Sequence, residues 1–196
     1  MDQAQVLDLF RESGAMLEGH FELSSGLHSD RYFQCALLLQ HPKRAERLAQ
    51  ALAANVRAQE KQKVDVVIGP ALGAVTWAHE VARALDARAL FTERKDNAMS
   101  LRRGFVVEPH ERVLVVEDVL TTGGSAREVI AVLASFDVRP FAAGAIVNRS
   151  GGNPFATEKL PLFALAEVKV QTFAPAECPL CKAGGRAIKP GSRVAR

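Results

Sequence analysis

The stretch from Val113 to Arg127, VLVVEDVLTTGGSAR, constrains the fold more than any other part of the chain. Four aliphatic residues, Val113 to Val116, run without a polar break, as a strand buried on both faces does. Glu117 and Asp118 follow, then Val119 and Leu120, then a small turn of Thr121, Thr122, Gly123, Gly124 and Ser125. Beyond the turn Ala126, Val129, Ile130 and Leu133 recur at the spacing of one helix face. The chain thus passes from a buried strand, through an acidic strand end and a loop, into a helix N-terminus, a unit of α/β architecture.

A helix start offers unpaired backbone N–H groups and the positive end of the helix dipole, and both favour an anion. Gly123 and Gly124 let the backbone approach a phosphate with no Cβ in the way. Thr121, Thr122 and Ser125 add hydroxyl donors. The two carboxylates need a different partner, because a phosphate repels them; sugar hydroxyls or a divalent cation suit them. An anion cradle beside an acid pair reads as a pocket for a ribose carrying a 5′-phosphate. The chain contains neither G-x-x-x-x-G-K-[ST] nor G-x-G-x-x-G, so a P-loop and a dinucleotide fingerprint are both excluded. The plainer alternative is an ordinary strand–turn–helix with a capped start.

The stretch resembles the phosphoribosyl-diphosphate (PRPP) signature of the type I phosphoribosyltransferases. That pattern is an apolar strand, two acidic residues, two variable or apolar residues and a Thr/Gly/Ser turn. Glu117 stands where Asp is also common. The resemblance implies an α/β fold: an open, mainly parallel twisted sheet flanked by helices. It implies one phosphoribosyltransferase domain over residues 1–196, with a small hood formed by about residues 1–40 and the C-terminal segment. PRPP would contact Glu117, Asp118, Val119, Leu120 and the Thr121–Ser125 turn. Mg2+ would arrive on PRPP, with no direct protein ligand.

Composition sets the outer bounds. A chain of 196 residues holds one α/β domain with a sizeable core. A net charge of +3 fits a small anionic substrate and does not call for nucleic acid. No apolar run approaches a membrane span, and the acidic, amphipathic start MDQAQVLDLF is unlike a signal peptide. Three cysteines, an odd count, point to a reducing cytoplasm.

Val6, Leu9 and Phe10 predict a first helix ending near Gly14. Phe21 and Leu23 alternate like a strand, Ser24-Ser25-Gly26 turns, and Tyr32-Phe33 resumes. On composition alone this is equally a surface hairpin carrying an aromatic pair into the core. It also resembles the N-terminal region of orotate phosphoribosyltransferases, where a Ser-Gly turn and a Tyr-Phe pair cover the base. The lysine that often precedes that turn is replaced here by Ser24. A helix is expected over about residues 43–58. Val64 to Ile68 reads as a buried parallel strand, ending in a loop with Ala71, Leu72 and Gly73. A helix follows, with Ala78, Val81, Ala82 and Leu85 on one face, and Trp77 and His79 as packing and surface residues. Ligands gather at such strand ends, and in the resembling family this loop holds the diphosphate.

Arg88 to Thr92 predicts another strand, and the charged run from Glu93 to Gly104 predicts a mobile loop. By resemblance this loop closes over the site across a homodimer. Arg94-Lys95 matches the family's Arg-Lys pair, and the family's later lysine and histidine are absent. Lys95 is therefore the first choice for a catalytic cation, with Arg102 and Arg103 as substitutes. Residues 140–147 predict a strand that delivers Arg149 to the pocket, where a planar guanidinium suits a carboxylate or a pyrimidine edge. In orotate enzymes the matching arginine contacts orotate.

A further strand-like run covers Leu160 to Val170. The tail carries Cys178-Pro179-Leu180-Cys181, half of a zinc site by spacing. No second half is visible, so a redox pair or structural thiols are favoured over zinc. This tail and the Leu101-Arg102-Arg103-Gly104-Phe105 run resemble a bacterial subgroup of orotate phosphoribosyltransferases. The resemblance then spans Phe21 to Arg196. It implies transfer of phosphoribose from PRPP to orotate, with Glu117, Asp118 and Lys95 catalytic. Arg149, Thr121, Tyr32 and Phe33 would bind orotate. The alternatives are a purine or uracil phosphoribosyltransferase, or a regulator that senses PRPP without chemistry.

Overall fold

The computed structural model describes residues 1–23, 26–96 and 98–189. Helix α1 (Gln3–Glu12) starts at Asp2, whose carboxylate accepts from the Gln5 N–H while the Gln5 side chain accepts from the Asp2 N–H. Strands β1 (Met16–Glu22) and β2 (His28–Phe33) form an antiparallel hairpin. Helices α2 (Cys35–Leu39) and α3 (Pro42–Gln59) follow. The next units are β3 (Val66–Pro70), α4 (Gly73–Leu85), β4 (Arg88–Lys95) and β5 (Ala98–Leu101). Then come β6 (Val113–Leu120), α5 (Gly124–Ala134), β7 (Ala142–Asn148) and β8 (Leu162–Glu167). The C-terminal part adds the short β9 (Thr172–Phe173) and α6 (Pro179–Lys182).

The main sheet has the order β5-β4-β3-β6-β7-β8. All its pairings are parallel except β4 with β5. Alternation along β6 explains its unbroken apolar run. Val113 and Val115 pack with Val129 and Leu133 of α5 on one face, while Leu114 and Val116 pack with Leu48 and Leu52 of α3 and Val81 of α4 on the other. Both faces are therefore covered by helices. Gly69 makes that closeness possible at the end of β3. A Cβ there would lie 2.7 Å from Ala74 Cβ and 2.8 Å from the Val116 carbonyl oxygen.

Strand order reverses between β3 and β6, since β4 lies to one side of the pair and β7 to the other. A doubly wound sheet opens its ligand crevice at that reversal, beyond the carboxyl ends of the strands. A second sheet, β1-β2-β9, joins the N-terminal hairpin to the C-terminal segment through His28↔Phe173 and Ser29↔Thr172.

The charged stretch after Thr92 differs from the expected mobile loop. β4 runs on to Lys95 and pairs antiparallel with β5, from Thr92↔Leu101 to Lys95↔Ala98. Glu93 anchors the far arm by ion pairs to Arg102 (3.2 Å) and Arg103 (2.7 Å). Phe105 folds back edge-on to Phe91, with ring centroids 5.2 Å apart. The high charge of the segment masks a short hairpin whose pairing is carried by backbone and cross-strand contacts. Asn97 of this stretch, like Ser24 and Ser25 of the first turn and residues 190–196 of the tail, lies outside the described residues.

Candidate active site

β6 ends at Leu120 and α5 begins at Gly124, so Thr121 to Gly123 make the whole turn. Gly123 has φ +76°, and a Cβ on it would sit 3.0 Å from the Phe155 ring. Both facts require glycine. The N-cap residue Gly123 has no side chain to cap α5, and the helix start faces an open crevice of about 230 Å³ lined by Glu117, Thr121, Thr122, Gly124 and Ser125. Arg127 braces the turn from behind. Its Nη1 donates to the Thr122 carbonyl (2.8 Å), its Nε to Glu158 (2.8 Å) and its Nη2 to the Pro154 carbonyl.

Glu117 lines this crevice, and Asp118 follows it on β6 and lines a second, adjoining one. Burial, with Asp118 alongside, pushes the Glu117 carboxyl up to about 8, against opposing hydrogen bonds from the Ser125 hydroxyl and the Ala126 N–H. Burial also raises Asp118, although the Val119 N–H donates to it at 2.9 Å. Asp118 faces the loop after β3: a Cβ on Gly73 would lie 3.0 Å from Asp118 Oδ2. The two strand ends at the sheet reversal therefore meet at one carboxylate. Ala71 and Leu72 precede Gly73 in that loop, and the Leu72 side chain is 88% exposed. The Leu120 side chain instead belongs to the core, and its carbonyl accepts from the Arg149 N–H at 2.7 Å.

A second crevice, of about 260 Å³, shares Glu117, Val119, Thr121 and Ser125 with the first. Its other wall is Tyr32, Phe33, Arg149 and Lys189. Phe10 packs edge-on against Phe33, with ring centroids 5.3 Å apart, and Phe21 packs at a tilt against Tyr32 at 5.8 Å. The Arg149 guanidinium lies 5.7 Å from the Phe33 ring centroid. Burial lowers the Arg149 pKa, and its Nε has no hydrogen-bond partner in the structure. A half-buried guanidinium with an unfilled donor is a ready site for a carboxylate. Lys189, with Nζ 3.1 Å from Glu22 Oε1, brings a second cation to the same wall. Sequence reasoning misses it, because nothing in its neighbourhood marks a return of the tail to the pocket.

The expected loop cations are placed differently. Arg94 pairs with Glu128 of α5 at 2.7 Å, beside the first crevice, which Glu128 also lines. Lys95 is exposed at the end of β4. Among the described residues, Lys95, Arg102 and Arg103 line neither crevice of their own chain.

The Phosphoribosyl transferase domain family matches residues 37–159. Over 194 residues the chain is 55% identical to an orotate phosphoribosyltransferase of Heliobacterium modesticaldum, covering 99% of this chain and 100% of that one. The chain belongs to the orotate phosphoribosyltransferase family. An orotate phosphoribosyltransferase of Desulforamulus reducens is 50% identical over 193 residues, covering 98% of each chain. The crystal structure of orotate phosphoribosyltransferase from Aeropyrum pernix superposes with a TM-score of 0.68 at 30% identity, covering 84% of this chain and 94% of that one. The two crevices join, one lined by β6 and the start of α5, the other by the small sheet and Arg149.

Proposed function

We propose that the protein transfers the phosphoribosyl group of PRPP to N1 of orotate in pyrimidine nucleotide (UMP) biosynthesis, forming orotidine 5′-phosphate and releasing diphosphate. The observation that carries this reading is Arg149. Its unpartnered Nε sits across the shared crevice from the start of α5, with the acid pair between them. A phosphate at one end, a ribose in the middle and a carboxylated base at the other fit that order of groups.

In the reaction the bond from the anomeric carbon to the diphosphate oxygen breaks and the bond to orotate N1 forms, with the N1 proton lost to solvent and no dedicated base. Positive charge builds on the sugar between the two events. The turn from Thr121 to Ser125 holds the 5′-phosphate and so fixes the ribose in line. Glu117 and Asp118 accept from the 2′ and 3′ hydroxyls and put negative charge beneath the cationic sugar. Ala71 to Gly73 receive the diphosphate beside Asp118. Mg2+ arriving with PRPP would supply positive charge to the leaving diphosphate. Two buried carboxyls, both pushed towards their protonated forms, suit a site completed by that ion and by sugar hydroxyls. Arg149 binds the orotate carboxylate, Tyr32 and Phe33 cover the ring, and Thr121 reaches it from below.

Lys95 and Arg94 belong to a hairpin that acts at the site of the partner in a homodimer, where they stabilise the departing diphosphate and exclude water. Mixing Lys95→Ala with Asp118→Asn protein then restores part of the activity. No recovery after confirmed subunit exchange would place Lys95 outside the mechanism. The protein is expected to work in the cytoplasm.

The function is tested by incubating the protein with PRPP and Mg2+, offering orotate, uracil, adenine and xanthine separately, and following diphosphate release. Release with orotate alone is expected. Release with a purine would overturn the base-end assignment, and PRPP binding without release would point to a sensor.

A further inference from the structure

The C-x2-C pair of the tail acquires its missing half in three dimensions. His20 of β1 and His28 of β2 face Cys178 and Cys181 at the ends of α6, and the four ligand atoms all lie within 4.8 Å of one another. His20 Nε2 is 3.0 Å from His28 Nδ1, 3.4 Å from Cys178 Sγ and 3.7 Å from Cys181 Sγ; Cys181 Sγ is 3.3 Å from His28 Nδ1. We propose that His20, His28, Cys178 and Cys181 form a structural Zn2+ site that staples the C-terminal segment onto the β1–β2 hairpin.

Hydrogen bonding does not account for this cluster. A neutral imidazole nitrogen carries either one proton or one lone pair, directed in the ring plane, and so satisfies one partner. His20 Nε2 meets three partners at once. Atoms that all face one another at such distances face a common centre. A tetrahedral zinc with Zn–N of about 2.0–2.1 Å and Zn–S of about 2.3 Å spaces its ligand atoms roughly 3.3 Å apart for N and N, about 3.5 Å for N and S, and about 3.8 Å for S and S. The four measured separations scatter about those edges. Two thiolates and two imidazoles in a closed tetrahedron select zinc over harder cations, which prefer oxygen.

The surroundings support a built site. Cys178 is fully buried and His28 is 8% exposed. Both cysteines are free thiols. Gly185 closes over the far side of the His20 ring, where a Cβ would lie 3.2 Å from Nδ1 and 2.9 Å from the Leu180 carbonyl oxygen. A ligating Nε2 leaves the ring proton on that buried Nδ1, which has no hydrogen-bond partner in the structure, and a side chain at position 185 would crowd it.

The staple has a consequence for the base end. Shortly after Cys181 the chain returns to β1: the Ile188 N–H donates to the His20 carbonyl and the Glu22 N–H to the Ile188 carbonyl, each at 2.8 Å. Lys189 follows directly and lines the crevice with Arg149. Ile188, the residue before Lys189, is 61% exposed. A zinc site would supply the fixed point that burial does not.

The test is elemental analysis of the full chain, freed of any affinity tag and purified under reducing conditions, with zinc added back and the excess removed. One zinc per chain is expected. Cys181→Ser and His20→Gln should each lower that content at least tenfold, and Cys35→Ser should leave it intact. Cobalt exchanged into the unmutated protein should show the visible bands of tetrahedral coordination and thiolate-to-cobalt charge transfer, a readout that holds even if a variant fails to fold. Reduced protein that takes up no zinc, ligand variants that keep it, or a Cys178–Cys181 disulfide in the protein as isolated would each overturn the proposal.

Discussion

At its phosphate end the crevice comes from one continuous stretch, β6 through the start of α5. At its base end it comes from pieces far apart in the chain: Tyr32 and Phe33 of β2, Arg149 after β7, and Lys189 of the tail. The first end works largely through backbone. On the proposed reading its anion donors are N–H groups at the start of α5, and its shape depends on Gly123 at a left-handed φ against Phe155. The second end works through side chains, and their placement depends on the small sheet and on the returning tail. A site made of backbone needs only the local fold to form. A site made of distant side chains needs every segment that carries one to be held.

The strongest way to break this contrast is at Asp118, beside Glu117, the carboxylate that both ends of the crevice share. Asp118→Asn should lower kcat by about 100- to 1000-fold, the scale seen when one electrostatic contact to a transition state is lost. Thermal unfolding should be unchanged or slightly raised, because burial already disfavours the charged form of Asp118. A large fall in Tm with a small fall in kcat would make Asp118 structural.

Next comes Arg149. Arg149→Ala should raise the orotate KM by roughly 10- to 100-fold, the loss of a charge-assisted hydrogen bond of about 1.5–3 kcal/mol. The PRPP KM should hold. Equal rises in both would mean that the two ends are not separate.

Glu117 sharpens the contrast through pH. Its carboxyl stands at about 8 in the protein against an ordinary 4.5, so it holds its proton at neutral pH. Mg2+ and sugar hydroxyls favour its ionised form, so PRPP binding should release a proton and strengthen as pH rises towards 8. Calorimetry in buffers of different ionisation enthalpy reads that proton directly. The sign for stability is opposite. The stability Glu117 contributes is full below the ordinary carboxylate range and is lost as pH rises from 4.5 to about 8. Glu117→Gln should remove both dependences.

The smallest expected effect is at Lys189. It is exposed and shares its charge with Glu22, so Lys189→Met should raise the orotate KM only a few-fold, within the range of exposed ion pairs. The PRPP KM should not move.

Much of this molecule is legible in the order of its residues. The alternating faces of β6, the glycine turn and the period of α5 are all local, so Val113 to Leu133 reads directly as strand, anion loop and helix. The period of α3 and the delivery of Arg149 by β7 are equally visible. The stretch after Thr92 is not, because its charged residues hide an edge hairpin that needs Glu93, Arg102 and Arg103 to meet. Position alone groups Leu120 with the PRPP loop, yet its side chain turns into the core with Val129 and Phe155.

The sequence by itself determined the phosphate end, since a strand, two acids and a glycine turn specify their geometry over about fifteen adjacent residues. Only the tertiary structure decided how the base end is assembled, with Lys189 in its wall, and the cluster beside it. His20, His28, Cys178 and Cys181 are separated by up to 161 positions. Their meeting is set by the register of a hairpin and by the pairing of β9 with β2, and neither can be read from the spacing of the residues themselves.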